Sequence, residues 1–291
     1  MPFAFRPDDK SSEKSVRRIA GELLETSRLI LGDASLPRAT LVHELRKNVK
    51  KTRALLRLVR PGFRDFEHQS AALREAARLI APLRDADVLT LTFDRAAGRT
   101  DLPRAETAAL RDRLAPASAE AIKPEERLEA HRQALAAIEA GVDDWKIRHK
   151  GFDSLSGGLE RSWDACRRSM RKARDRTDAE ALHLFRKRVK DHWYHARLFS
   201  PIWPEMMATH VSACDKLGEA LGDARDLAIL VETLGGEAFA GDDTATAVAD
   251  AAREEEAKLL AKSWRAGARL FAEPAPALAR RWRNWWDIWR G

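Results

Sequence analysis

Apolar residues recur at three- and four-residue intervals along almost the whole chain, and the breaks fall at Gly, Pro, Ser and Asp. That spacing puts the apolar positions on one face of a helix, whereas strands would alternate. It predicts helices over 11–31, 37–60, 64–81, 84–98, 104–115, 125–148, 152–175, 178–199, 204–221, 224–234, 244–271 and 275–289, and no strand. Two starts carry capping signals: Ser35 ahead of Leu36-Pro37, and Thr177 with Glu180 at capping-box spacing. The predicted fold class is all-α.

A duplication organises these helices. The segment HELRKNVKKTRALLRLVRP, from His43 to Pro61, matches HLFRKRVKDHWYHARLFSP, from His183 to Pro201, at a constant offset of 140 residues. Between those ends Arg46, Lys47, Val49, Lys50, Arg57 and Leu58 pair with identical residues at 186, 187, 189, 190, 197 and 198. A second landmark follows each copy: Leu83-Arg-Asp-Ala-Asp-Val-Leu89 resembles Ala224-Arg-Asp-Leu-Ala-Ile-Leu230. The chain therefore reads as one domain, 1–291, built from two repeats of about 1–150 and 151–291. The joint around 149–158 is short, so the halves are expected to pack closely with the duplicated helices at their seam.

On a helical wheel His43, Arg46, Lys50, Arg53 and Arg57 fall within roughly 80° of one another. Leu41, Val42, Leu45, Val49, Leu55, Leu56 and Val59 occupy another arc, suited to a core. His183, Arg186, Lys190 and Arg197 repeat the ridge in the second copy, with Trp193 in the place of Arg53 and with Lys47 and Lys187 at the margins. Like charges at this spacing repel unless an anion or solvent neutralises them. A linear polyanion relieves the repulsion, with Arg gripping phosphate oxygens bidentately and Lys acting as a mobile charge. One such stripe would be an ordinary solvated face. Two stripes that keep the leading His and the cation spacing while the apolar residues change, Leu45 to Phe185 and Leu56 to Ala196, point to the anion.

Composition changes the picture little. The 52 Lys and Arg against 45 Asp and Glu give a net charge of +7, which implies an anionic partner only where it is concentrated. Every apolar run is interrupted by charge well short of a membrane span, and the N-terminus lacks the apolar core of a secretory signal, so a cytoplasmic location is expected. Cys166 and Cys214 fit no metal-ligand spacing and are expected to be reduced and buried.

The residues His183-Leu-Phe-Arg-Lys-Arg-Val-Lys-Asp-His-Trp-Tyr194, continued by Pro201-Ile-Trp-Pro204 and Leu221-Gly-Asp-Ala-Arg-Asp-Leu227, resemble the second half of a CHAD domain. His43 to Pro61, Leu73-Arg-Glu-Ala-Ala-Arg78 and Leu83-Arg-Asp85 resemble the first half, so the resemblance covers nearly the whole chain. It implies two pseudo-symmetric antiparallel helical bundles packed around a basic groove or pore, binding inorganic polyphosphate without catalysis; docking on polyphosphate granules is the role expected of such a module. It assigns phosphate contacts to His43, Arg46, Lys47, Lys50, Arg53 and Arg57, and to His183, Arg186, Lys187, Lys190 and Arg197. Arg17 and Arg18, Arg74 and Arg78, and Arg167, Arg168 and Arg171 are further candidates beside the stripes. Asp85 and Asp226 are expected to cap a helix or to pair with a site cation.

No cofactor, metal site or catalytic residue is expected. Glu254-Glu-Glu256-Ala-Lys258 formally fits ExExK, the signature of CYTH triphosphate hydrolases, but there it needs a strand to align its carboxylates, and here it falls in a predicted helix. His68, His131, His149, His192, His195 and His210 show no spacing for a metal or a triad. No Gly-rich loop leads into Lys-Ser or Lys-Thr, which disfavours an NTPase. The main rival is a nucleic-acid binder, for which the stripes offer only Trp193 and Tyr194 as stacking groups. Trp282, Trp285, Trp286 and Trp289 have the spacing of a packed closing helix, favoured over membrane adsorption.

Overall fold

The structure, a computed structural model, describes residues 3–83, 85–114, 123–176 and 178–291, and of residues 85–88 the backbone only. Its described residues form eleven α-helices and no strand. They are α1 (Ser12–Gly32), α2 (Arg38–Val59), α3 (Phe66–Leu79), α4 (Asp85–Ala97), α5 (Arg104–Leu114), α6 (Pro124–Glu139), α7 (Asp153–Arg176), α8 (Ala179–Leu198), α9 (Pro204–Leu234), α10 (Asp243–Leu270) and α11 (Ala275–Arg290).

The all-α expectation holds, with local corrections. The predicted helices 204–221 and 224–234 run on as α9, because packing of α9 along α8 and α10 outweighs the roughly 1 kcal/mol that an interior glycine such as Gly222 costs. Helix 125–148 ends early, at Glu139. Beyond it a 3-10 turn over Val142–Asp144 leads to an extended stretch in which Trp145 is buried and Ile147 bridges Phe63. Ser35 does not cap α2: its hydroxyl donates to Asp33 at 2.6 Å, and Pro37 stands at the cap position. The proposed cap Thr177 lies outside the described residues, and Asp178 accepts from the Ala181 N–H at 2.6 Å to start α8.

One core draws on both halves of the chain, from Phe3 and Phe5 through α1, α2, α3, α7 and α8 to Trp282 and Trp286 of α11. Within the apolar arc of α2, Val42, Leu45, Val49, Leu55, Leu56 and Val59 are buried, as the wheel predicts, and Leu41 is half-buried. A second cluster joins α4 and α5 to the far ends of α9 and α10 through Phe93, Leu110, Leu230 and Val248.

The duplicated helices lie at the seam. α2 packs on α1 and α3 and also on α7 and α8, and α8 packs on α7 and α9. His195 of α8 donates from Nε2 to the Ala54 carbonyl of α2 at 2.8 Å, since a carbonyl can only accept. One turn further along α2, a Cβ placed on Gly158 of α7 would stand 1.7 Å from the Leu58 carbonyl oxygen, so these two backbones approach as only glycine permits.

Candidate functional site

The site is a band of cations on four helices. α2 turns Arg46, Lys50 and Arg53 toward α3, where Arg74 and Arg78 complete the wall of a cleft of about 270 Å³ floored by Val49, Ala77 and Ala81. The first ridge thus joins one pair of the further candidates. Arg78 is itself held by Glu75 at 2.6 Å.

Arg53 is the most exceptional of these cations. It is half-buried, and its Nε has no hydrogen-bond partner among the described residues. Burial lowers its pKa, helped by the charges of Arg57 and Arg74 and opposed by Asp191. A guanidinium withdrawn from water among like charges is costly unless an acceptor reaches it.

From Arg53 the band crosses to α8. Lys187 has its pKa lowered by partial desolvation and then by Arg57, with Arg53 and Arg188 adding to it and Asp191 opposing. The crossing is fastened by Arg57, whose Nη1 donates to Asp191 Oδ1 at 2.7 Å, while Arg188 approaches the other oxygen at 3.5 Å. The expectation of purely cationic ridges is corrected here: Asp191 is a carboxylate inside the band, bound between two guanidiniums. Lys51, not singled out from the sequence, adds a further cation on α2, its pKa lowered to about 8 by burial and by Arg197 and Lys47.

The second ridge lies along α9. A Cβ on Gly218 would come within 2.9 Å of Lys190 Cε, and one on Gly222 within 2.9 Å of Arg186 Nε, so two glycines one turn apart make room for both cations. Lys190 donates to Asp215 at 2.9 Å. Burial, then Arg225, Arg186 and Lys187, depress the pKa of His183. Asp226 sits beside Arg186 and Arg225, and burial raises its carboxyl against their opposing charges. It lies inside α9, so it caps no helix, and it stands in the field of those two cations. The side chain of Asp85 lies outside the described residues. Lys190 and Arg197 both lie over the Trp193 ring, 4.3 and 4.9 Å from its centroid.

The remaining candidates go elsewhere. Arg17 donates twice to the Trp145 carbonyl, at 2.6 and 2.9 Å, and pairs with Glu13. Arg18 is held by Asp9, Glu22 and the Ala4 carbonyl. Both guanidiniums tie the N-terminal segment and the 145 region to α1 and leave the band. Arg167, Arg168 and Arg171 sit on α7, with Arg168 4.0 Å from Asp164 of its own helix. Lys47 stays at the margin, bridged to Glu44 at 3.0 Å. His43 is exposed, 4.0 Å from that same Glu44.

Glu254 and Lys258 form an exposed i,i+4 pair at 2.7 Å on α10, which ends the ExExK reading. Both cysteines are buried and free. His131 and His195 donate to the carbonyls of Ala76 and Ala54. His192, His210 and Cys214, given no metal role from their spacing, come together between α8 and α9.

Sequence reasoning missed Lys51, Asp191, Arg225, Gly218 and Gly222. The signal for Arg225 was present, since it lies in the second landmark. Lys51 and Asp191 share the 140-residue offset and differ in charge, a mismatch that marks where the halves meet.

Two copies of one basic helix thus lie side by side, with cations of both drawn partly out of water. The CHAD domain model matches residues 15–235, and the chain belongs to that family. α10 and α11 follow the matched span and still pack into the cores. Comparison with curated proteins gives no match. No helix among the described residues is long and apolar enough to cross a membrane.

Proposed function

We propose that the chain binds inorganic polyphosphate along the cationic band, from the α2–α3 cleft across the α2–α8 seam to the α8–α9 groove, and does not turn it over. On this reading the two halves act as a pseudo-symmetric pair of helical bundles in one domain, and the protein docks on polyphosphate granules in the cytoplasm. The single observation that carries it is Arg53, a half-buried guanidinium with an unpartnered Nε, standing among Arg57, Arg74 and Lys187. An anion with regularly spaced charges satisfies that group and its neighbours together.

Two rivals fit less well. For nucleic acid the band offers one aromatic surface, Trp193, which Lys190 and Arg197 already cover, while Tyr194 is buried. For a hydrolase the band's carboxylates are set against its own cations, Asp191 with Arg57 and Arg188, Asp215 with Lys190, and Asp226 in the field of Arg186 and Arg225, which does not favour a base facing a substrate water. The test is titration with long-chain polyphosphate over a range of salt, with the chain length of the polymer followed on gels. Binding with a steep linear dependence on log salt and unchanged length is expected. Shortened chains or no binding would overturn the reading.

His183→Gln should flatten the pH dependence of binding. The free protein holds the His183 pKa below its ordinary value. Bound polyphosphate reverses the local field and raises it, so affinity increases as pH falls through the window between the bound and free values. Isothermal titration between about pH 5 and 8, bracketing the ordinary value of roughly 6.5, measures the slope.

Asp191→Asn should move stability and affinity in opposite directions. It leaves Arg57 and Arg188 without their carboxylate, costing about 1–2 kcal/mol at this partly buried site. It also frees Arg57 for phosphate, so polyphosphate binds severalfold more tightly. Thermal melts and titrations of one preparation check both signs.

A further inference from the structure

Outside the band, α8 and α9 close around a second polar cluster. His192 projects from α8, and His210 and Cys214 from successive turns of α9. One donor atom of each lies within 4.8 Å of the other two. The imidazoles meet Nε2 to Nε2 at 2.9 Å, so a single proton sits between two ring nitrogens. His192 Nδ1 has no hydrogen-bond partner among the described residues, and nothing else fixes that ring's tautomer.

The surroundings are aromatic. Trp163, Trp282 and Phe271 stand 4.7, 5.8 and 6.4 Å from the His192 ring. His192 and Cys214 are fully buried, whereas His210 is partly exposed and gives an ion a way in.

We propose that His192, His210 and Cys214 form a binding site for a soft closed-shell metal ion, monovalent copper in preference to zinc. Two imidazoles and one thiolate are the donors such ions select, and an i,i+4 pair on one helix with a third ligand from its neighbour is a common way to supply them. Charge decides between the ions. Cu⁺ with one thiolate and two neutral imidazoles is uncharged and suits three ligands and an aromatic interior. Zn²⁺ would leave a net positive charge there, with Arg281 facing His210, and would call for a fourth ligand.

Protonation is consistent with this. Burial holds His192 neutral, with His210 and His195 adding to the effect, and lowers His210 to about 4, with Arg281 adding to that. Both rings are therefore neutral near neutral pH, and both Nε2 atoms can ligate once the proton between them moves to the Nδ1 of the ring that carries it. Burial raises the Cys214 thiol, with Asp215 adding and Lys190 opposing, so the ion must displace its proton. Cys214 Sγ–H and Cu⁺ become Sγ–Cu, and the proton leaves to solvent, so retention strengthens as pH rises. Metal–nitrogen bonds of about 2.0 Å in a trigonal array set the nitrogens about 3.5 Å apart, which asks the imidazoles to part by roughly half an ångström.

The experiment titrates the full-length reduced protein with Cu⁺ against a chromophoric Cu⁺ chelator, alongside His210→Gln, Cys214→Ala and Cys166→Ala. Wild type and Cys166→Ala should each take one ion per chain, and the other two variants should hold it about 100-fold more weakly. His210 is at the exposed end of the cluster and its variant keeps the thiol, so it decides the matter should Cys214→Ala fail to fold, as circular dichroism will report. Wild type retaining copper no better than His210→Gln would overturn the site. Zn²⁺ held more tightly than Cu⁺ would overturn the choice of ion.

Discussion

Replacing Arg53 and Lys187 together by alanine should lower the affinity for long-chain polyphosphate about 100-fold, at about tenfold for each charge-assisted hydrogen bond removed. The two cations stand on different halves of the chain, and the charge of Arg53 lowers the hold of Lys187 on its proton across the α2–α8 seam. One polyanion crossing the seam must meet both. The slope of log affinity against log salt should therefore fall by roughly 0.7 for each single variant and 1.4 for the double, if polyphosphate behaves like a single strand. The fold should not suffer, because Arg53→Ala removes a poorly solvated charge from among like charges. A melting temperature held or raised in Arg53→Ala, measured beside the titrations, separates a weakened grip on the ligand from damage to the fold. If Arg53→Ala weakened binding and Lys187→Ala did not, the site would belong to α2 alone.

The largest effect on stability is expected from one methyl group at Gly158. Gly→Ala inside a helix normally stabilises it, by up to about 1 kcal/mol, as Gly21→Ala should in α1, where an added Cβ meets nothing within 4 Å. At Gly158 the same Cβ would lie 1.7 Å from the Leu58 oxygen and 2.4 Å from its carbonyl carbon. Those are backbone atoms of α2 and cannot rotate aside. α7 must retreat from the helix that carries the first ridge, at a cost of about 3 kcal/mol or more, beyond ordinary overpacking. Thermal melts should show Gly158→Ala lowered by about 6–12 °C and Gly21→Ala unchanged or raised. Equal melting of Gly158→Ala and wild type would mean that the two helices do not approach so closely.

How far the site could be read from sequence depends on where each residue finds its partners. The ridge on α2 was legible because it is local: a 3.6-residue period puts Val42, Leu45 and Val49 inward and leaves Arg46, Lys50 and Arg53 together. Its duplication at offset 140 pointed to α8 for the same reason. What escaped depends on tertiary packing. Arg17 and Arg18 look like site cations until the chain folds the Trp145 carbonyl and Asp9 onto them. Gly222 followed by Asp223 reads as a helix end, yet it is the notch in α9 that admits Arg186. His192 lies 18 and 22 residues from His210 and Cys214, a spacing that carries no metal signal until two helices pack side by side.

Whether the band holds polyphosphate in preference to other polyanions is decided by competition. Labelled long-chain polyphosphate bound to the full chain at physiological salt is challenged with unlabelled long-chain polyphosphate, short polyphosphates, DNA and RNA at equal phosphate concentration. Unlabelled long chains should displace the label first, with nucleic acids far behind, because Trp193 is already covered by Lys190 and Arg197 and leaves bases no surface on which to stack. Displacement by DNA or RNA at lower concentration than by polyphosphate would contradict a polyphosphate site.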